Sequence, residues 1–176
     1  ILFADLRGFS SKSEELVPNE LLDLLNCFFG TMVDIISKYH GTVIEFMGDA
    51  ILAVFGAPMK NDFFAESAVA AAITMQNAMQ KVNAFCLQRG NPELEMGIGI
   101  HCGETFVGNI GSEKMMRYNV IGRAVNECSR IESCSTGGQI FISDATLKNL
   151  SCEVQIKNQM AIEAKGIRYV IIFKIR

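Results

Sequence analysis

Residues 43–58 read VIEFMGDAILAVFGAP, and the interpretation of this stretch decides the fold. Two apolar runs, 43–47 and 50–55, flank Gly48-Asp49. A Gly beside an Asp between two strand-like runs marks a tight hairpin turn. That turn puts the Asp49 carboxylate at the tip of a buried two-stranded element. A second carboxylate, Asp5, ends another apolar run, residues 1–4. Packing alone does not ask for charge at the ends of core strands. Together the two carboxylates have the chemistry of a shared divalent-metal site; taken separately they are two turn aspartates.

N-terminal to the hairpin, the strand of residues 1–4 runs into Leu6-Arg7-Gly8-Phe9-Ser10-Ser11. Gly8 permits close backbone approach, and Ser10, Ser11 and Ser13 are candidate helix N-caps. A strand, a glycine turn and a helix start expose N–H groups suited to phosphate, although the same pattern serves a plain strand-to-helix connection. Pro18 opens a long amphipathic helix with Leu21, Leu25, Phe28, Phe29, Met32, Ile36 and Tyr39 at helical spacing. It ends near His40-Gly41, and His40 reads as a solvated helix-end residue.

C-terminal to the hairpin, Asn61 and Asp62 precede a helix over 64–89 that carries Val69, Ala72, Met75, Met79, Val82 and Cys86 on one face. Gly90-Asn91-Pro92 breaks the chain. Residues 94–102 alternate as a strand, Gly103-Glu104 turns, and 105–110 read as the return strand. His101, inside the first of these, reads as a hydrogen-bonded core histidine. An exposed loop at Ser112-Glu113-Lys114 leads to residues 117–121. A helix over 122–133 then places Asn126 and Arg130 at i and i+4, one above the other. A carboxamide beside a guanidinium can hold a sugar oxygen and a phosphate; such a pair also occurs on any solvated helix face. After Gly137-Gly138 come a strand (139–143), a short helix (144–150), a strand (152–156), a turn at Lys165-Gly166 and a last strand (168–175). The order β–α–β–β–α–β–β with a smaller α/β tail predicts an α+β fold with an antiparallel or mixed sheet and helices on one face.

The bulk numbers narrow the class. A chain of 176 residues, 49% hydrophobic and 20% charged, is one globular domain with a real core. A net charge of −3 provides no general attraction to nucleic acid or to anionic membrane. No apolar run approaches the ~20 residues that span a bilayer. The six cysteines contain no C-x-x-C pair and read as free thiols in a reducing compartment. The first residues lie in mid-strand, so the expectation is a single domain, 1–176, cut from a longer chain.

Four segments, FADLRGFS (3–10), FMGDAILAVFG (46–56), MGIGIHCG (96–103) and YNVIGRAVNECSRIE (118–132), together resemble the catalytic domain of class III nucleotidyl cyclases, the adenylate and guanylate cyclases. Lys165-Gly166 adds a weaker match. The resemblance implies a ferredoxin-like βαββαβ core with a small C-terminal α/β extension, and a head-to-tail homodimer with active sites at the interface. It maps Asp5 and Asp49, with Leu6, to a site for two Mg²⁺ or Mn²⁺ ions. It maps Asn126 to the ribose, Arg130 to the α-phosphate, and Lys165 to the triphosphate. Gly8, Phe9 and Ser10 fall in the loop that would cradle phosphates. In a homodimer the aspartates of one chain would meet Asn126 and Arg130 of the other. The implied reaction is in-line attack of the ribose 3′-oxygen on the α-phosphorus with loss of pyrophosphate. Two metal ions about 4 Å apart and the cationic side chains would stabilise its charge, and no protein nucleophile is required.

The family reads the purine at two positions, here Glu45 and Asn119. Guanine presents N1–H and N2–H₂ as adjacent donors that a carboxylate accepts, and an O6 acceptor to which an amide donates. GTP is therefore the expected substrate and cyclic GMP the product. The alternatives are an adenylate cyclase using ATP, a non-catalytic nucleotide-binding regulatory domain, and an unrelated ferredoxin-like RNA-binding module. The last lacks aromatic residues on an exposed sheet face and is acidic rather than basic, so no nucleic-acid partner is expected. An upstream regulatory domain is expected in the full-length chain. The catalytic domain is expected in the cytoplasm, with membrane attachment of the parent left open.

Overall fold

Alternation along the first strand sets the two faces of the sheet. In β1 (Leu2–Leu6), Leu2, Ala4 and Leu6 point to one side, Phe3 and Asp5 to the other. The computed structural model describes residues 1–14, 16–164 and 167–175. A short helix α1 (Phe9–Ser13) precedes α2 (Pro18–Lys38), the hairpin β2 (Gly41–Met47) and β3 (Ala50–Phe55), and α3 (Phe64–Gln88). Next come β4 (Met96–Ile100), β5 (Phe106–Ser112), β6 (Met115–Ile121), α4 (Arg123–Ser133), β7 (Ile140–Ser143), α5 (Asp144–Lys148), β8 (Ile156–Ala164) and β9 (Ile167–Ile175).

The main sheet runs β2-β3-β1-β4-β7-β9-β8. Its first four strands are antiparallel and, with α2 and α3, make the expected ferredoxin-like βαββαβ core; β7 joins β4 in parallel. One core layer holds Leu2, Ala4, Ile51, Ala53, Ile98 and Ile100 against α2 and α3. The stripe fully buried on α2 is Leu24, Phe28, Met32 and Ile36, and Leu21, Leu25, Phe29 and Tyr39 from the sequence reading pack against the same core, partly buried. The face of α3 is as read: Val69, Ala72, Met75, Met79, Val82 and Cys86 are all buried.

Three expectations are corrected. The helices do not share one face, because α4 covers the opposite side, with Cys128 packed among Phe3, Leu52, Val54 and Val120. Glycines make that approach possible: a Cβ on Gly99 would stand 2.5 Å from the Glu132 main-chain nitrogen. Residues 105–110 are not a return strand for β4, whose edges are taken by β1 and β7; β5 pairs with β6 as a separate ribbon. The tail strand begins at Ile156 and continues to Ala164, instead of occupying 152–156. The six cysteines form no disulfide. Among the described residues, no helix is long and apolar enough to cross a membrane.

Candidate active site

The hairpin turn places Asp49 beside Asp5. Gly48 adopts φ 65°, a left-handed conformation that favours glycine, and reverses the chain one residue before Asp49. Antiparallel pairing of Ala4 with Ile51 brings the end of β1 to the base of that turn. The two carboxylates interact directly. Partial burial pushes the Asp5 carboxyl above its usual range, Asp49's negative charge and the hydrogen bond that protonated Asp5 donates to the Asp49 carboxylate push it further, and Arg7 and the Leu6 N–H oppose the rise. The Leu6 side chain is in the core, so only its main chain faces the pair.

The donor chemistry fits a hard divalent cation. Two oxygen-bearing groups lie side by side and repel each other, and Mg²⁺ or Mn²⁺ is held by one or two carboxylates with substrate phosphates completing its shell. Among the described residues, no cluster of three or more His, Cys, Asp or Glu is placed to hold a metal on its own.

Arg7, two residues beyond Asp5, was not singled out from the sequence. Its Nη1 lies 3.5 Å from Asp5 Oδ2, and its Nη2 donates to the Glu132 carboxylate, to the Glu132 carbonyl at 3.0 Å and to Ser135 Oγ at 2.8 Å. Strand alternation is the signal that puts it on Asp5's side.

The adjoining loop differs in detail from its reading. None of Ser10, Ser11 or Ser13 is an N-cap: Gly8, at φ 64°, occupies that position, and the Ser13 hydroxyl donates to the Ser10 carbonyl at 2.8 Å. Phe9 is buried, leaving its backbone to face the loop, while Gly8 and Ser10 are exposed.

Glu45 reaches the same side of the sheet through a β-bulge. Val43 packs toward the α2/α3 layer and Ile44 toward the other face. Strict alternation would return Glu45 to the helices. A register shift between Val43 and Glu45 places Glu45 opposite Leu52, on the face of Phe3 and Asp5, and sends Phe46 to stack on Phe29 of α2 at 4.3 Å. There Arg117 of β6 meets it, Nη1 to Oε1 3.6 Å. Asn119 follows two residues later on the same strand face, and its Oδ1 accepts the Val120 N–H at 2.7 Å. Arg117 is thus a second residue not found from the sequence.

Asn126 and Arg130 project from α4, whose packing face is Ala124, Cys128, Ile131 and Glu132. Asn126 is exposed and Arg130 half-buried. The helix is fixed by Glu127, whose Oε2 lies 2.8 Å from His101 Nε2 and whose Oε1 takes the Arg123 Nε–H at 2.6 Å. His101 is the buried, hydrogen-bonded core residue expected, with Nδ1 2.8 Å from Ser143 Oγ. Lys165 lies outside the described residues.

Comparison with known proteins bears on the family and the fold. The family model described as the adenylate and guanylate cyclase catalytic domain matches residues 1–175. An adenylate cyclase of Anabaena cylindrica is 38% identical over 158 residues, 86% of this chain and 30% of that protein. The chain thus spans about a third or less of the length of the curated relative it matches. A crystal structure of the guanylyl cyclase Cya2 superposes with a TM-score of 0.96 at 47% identity, covering 99% of this chain and 89% of that one. A crystal structure of the adenylyl cyclase CyaB from P. aeruginosa gives 0.91 at 36% identity, covering 99% and 91%.

Proposed function

The chain belongs to the adenylate and guanylate cyclase catalytic domain family, and from that premise we propose a homodimeric, divalent-cation-dependent purine nucleotide cyclase that prefers GTP. The observation that carries the preference is the Glu45–Arg117 contact. The guanidinium holds Glu45 toward the nucleotide face, where its carboxylate accepts from guanine N1–H and N2–H₂. The Asn119 oxygen is already engaged by Val120 N–H, so its amide nitrogen is the group turned outward, a donor matched to guanine O6. Adenine offers N1 as an acceptor against Glu45 and an amino group against the Asn119 amide. An unmade buried hydrogen bond costs roughly 1–3 kcal/mol, about 5- to 150-fold.

The reaction forms a bond from the ribose 3′-oxygen to the α-phosphorus and breaks the bond from that phosphorus to the departing pyrophosphate. Asp5, Asp49 and the Leu6 main chain would hold the two Mg²⁺ or Mn²⁺ ions. When bound, these supply charge neutralisation for the triphosphate and acidity for the 3′-hydroxyl. Asn126 orients the ribose. Arg130 meets charge that builds on the α-phosphate in the transition state, Lys165 contacts the triphosphate, and the backbone of Gly8, Phe9 and Ser10 borders the phosphates.

The second chain supplies the other half of each site. Phe46, Met47, Phe106, Met115, Met116 and Ile121 are exposed along β2 and the β5–β6 ribbon, an apolar surface of the kind that is covered by a partner. In a head-to-tail dimer the aspartates of one chain face Asn126 and Arg130 of the other.

An adenylate cyclase is the second reading, favoured by the names of two of the similar proteins and by the second lone pair of Asn119 Oδ1, which can accept from adenine's amino group. Product analysis with Mn²⁺ and either nucleotide tests the reaction itself. Equal amounts of cyclic nucleotide and pyrophosphate support a cyclase; hydrolysis products alone, or none, contradict it.

A further inference from the structure

Arg7 touches both halves of the chain's chemistry. Its Nη1 faces Asp5 at 3.5 Å, and its Nη2 binds the side chain and carbonyl of Glu132 in the last turn of α4, two residues beyond Arg130. Its main-chain N–H is fixed by the Glu95 carbonyl at 2.7 Å. Gly97, the β4 partner of Asp5, leaves the space, since a Cβ there would collide with the Arg7 guanidinium and Ser135 Oγ. Glu132 is buried, with a side chain 9% exposed. A planar guanidinium has its donors in a fixed fork, so a shift of α4 moves the cation beside Asp5, and a shift of Asp5 is felt by α4.

We propose that Arg7 is a positioning residue that couples the two catalytic centres of the dimer. Within one chain it ties the metal carboxylate of one centre to the helix that presents Asn126 and Arg130 to the other. The inference rests on the shared-site reading above. Nothing in the coupling requires Arg7 to touch substrate; it acts through Asp5 and through Glu132.

The test uses mixed dimers. One chain carries Asn126→Ala with Arg130→Ala and keeps its aspartates; the other carries Asp49→Ala and keeps Asn126 and Arg130. Only the heterodimer then holds a working site, and it holds one. Arg7→Met is placed in either chain. In the aspartate-bearing chain it is expected to raise the Mn²⁺ concentration for half-maximal activity about tenfold, as loss of an outer-shell partner does. Weaker Mn²⁺ binding by electron paramagnetic resonance without nucleotide should accompany it. In the Asn126-bearing chain it is expected to lower kcat about tenfold or more through misplacement of α4, with unchanged Mn²⁺ dependence and faster hydrogen exchange of the α4 amides. Glu132→Gln, which keeps the shape, should reproduce only the second effect. Arg7→Lys should restore the first, which needs charge, more than the second, which needs the fork.

An effect in the aspartate-bearing chain alone, or in neither, overturns the coupling. So does a parallel loss of kcat, metal affinity and dimer at both placements, the mark of a merely structural residue. If the unsubstituted mixture is inactive while the heterodimer forms, the shared-site reading itself fails, and the inference with it.

Discussion

Arg117 Nη1 lies 3.6 Å from Glu45 Oε1, joining the ribbon strand β6 to the bulged strand β2. Both side chains are partly solvated, 63% and 41% exposed, so the pair contributes little to stability. Its consequence is orientation. Arg117→Ala should leave the melting temperature nearly unchanged while lowering the preference for GTP over ATP, and Glu45→Gln should lower it about 5- to 150-fold. Competing-substrate turnover measures both. A large loss of stability with an unchanged preference would mean that the contact serves only the fold.

Glycine at 99 is required by α4. The β-carbon of an alanine there would meet the main-chain nitrogen and Cα of Glu132 at 2.5 and 2.6 Å, and a backbone cannot rotate out of the way. Gly99→Ala should destabilise by roughly 1–3 kcal/mol and reduce kcat, because Asn126 and Arg130 move with the helix. Thermal unfolding and steady-state kinetics of the same variant check the two together.

The fold was legible where the pattern was local. The runs 43–47 and 50–55 are β2 and β3 with their turn at Gly48-Asp49, and the buried face of α3 follows its periodicity. What was hidden depends on distant partners. Ile44 gives no sign that the strand bulges, yet that bulge carries Glu45 to the site. The pairing of 106–112 with 115–121 was missed because both strands are mostly exposed and show no clean alternation. Arg7 and Glu132 are 125 residues apart, and no spacing rule links them. Arg117 could have been found by counting two back from Asn119 along an alternating strand.

Metal-free stability should rise when the carboxylate pair is neutralised. Asp5's carboxyl is held above its usual range by burial and by Asp49. A raised folded pKa means the folded state binds more protons than the unfolded state between the two pKa values. Stability therefore falls as pH rises through that window, and the penalty is complete above it. At neutral pH in EDTA, Asp49→Asn should raise the melting temperature by a few degrees, where ~1 kcal/mol corresponds to about 2–4 °C at this size. The variant should lose turnover and lose stabilisation by Mn²⁺. A lower melting temperature in EDTA would contradict the electrostatic account of the pair.

His101 gives the opposite pH dependence. Burial lowers its pKa, outweighing the neighbouring Glu127, which raises it. A depressed histidine pKa stabilises the fold above the unfolded value of about 6.5. That contribution is lost as pH falls below 6.5, until the folded pKa is reached. The wild-type protein should lose stability between pH 7 and 5 more steeply than His101→Gln, the difference approaching at most ~1.4 kcal/mol per pH unit. Denaturant unfolding at several pH values provides the comparison, and identical pH profiles would show that His101 does not titrate against folding.

The central claim is a purine cyclase that reads guanine through Glu45 and Asn119. Its most direct test is formation of cyclic GMP and cyclic AMP from equimolar GTP and ATP with Mn²⁺, at a protein concentration where the dimer is verified. Cyclic GMP is expected in excess, by roughly 5-fold or more for a single mismatched buried hydrogen bond. Cyclic AMP in excess would leave the catalytic residues standing and contradict the assignment of Glu45 and Asn119 as guanine readers.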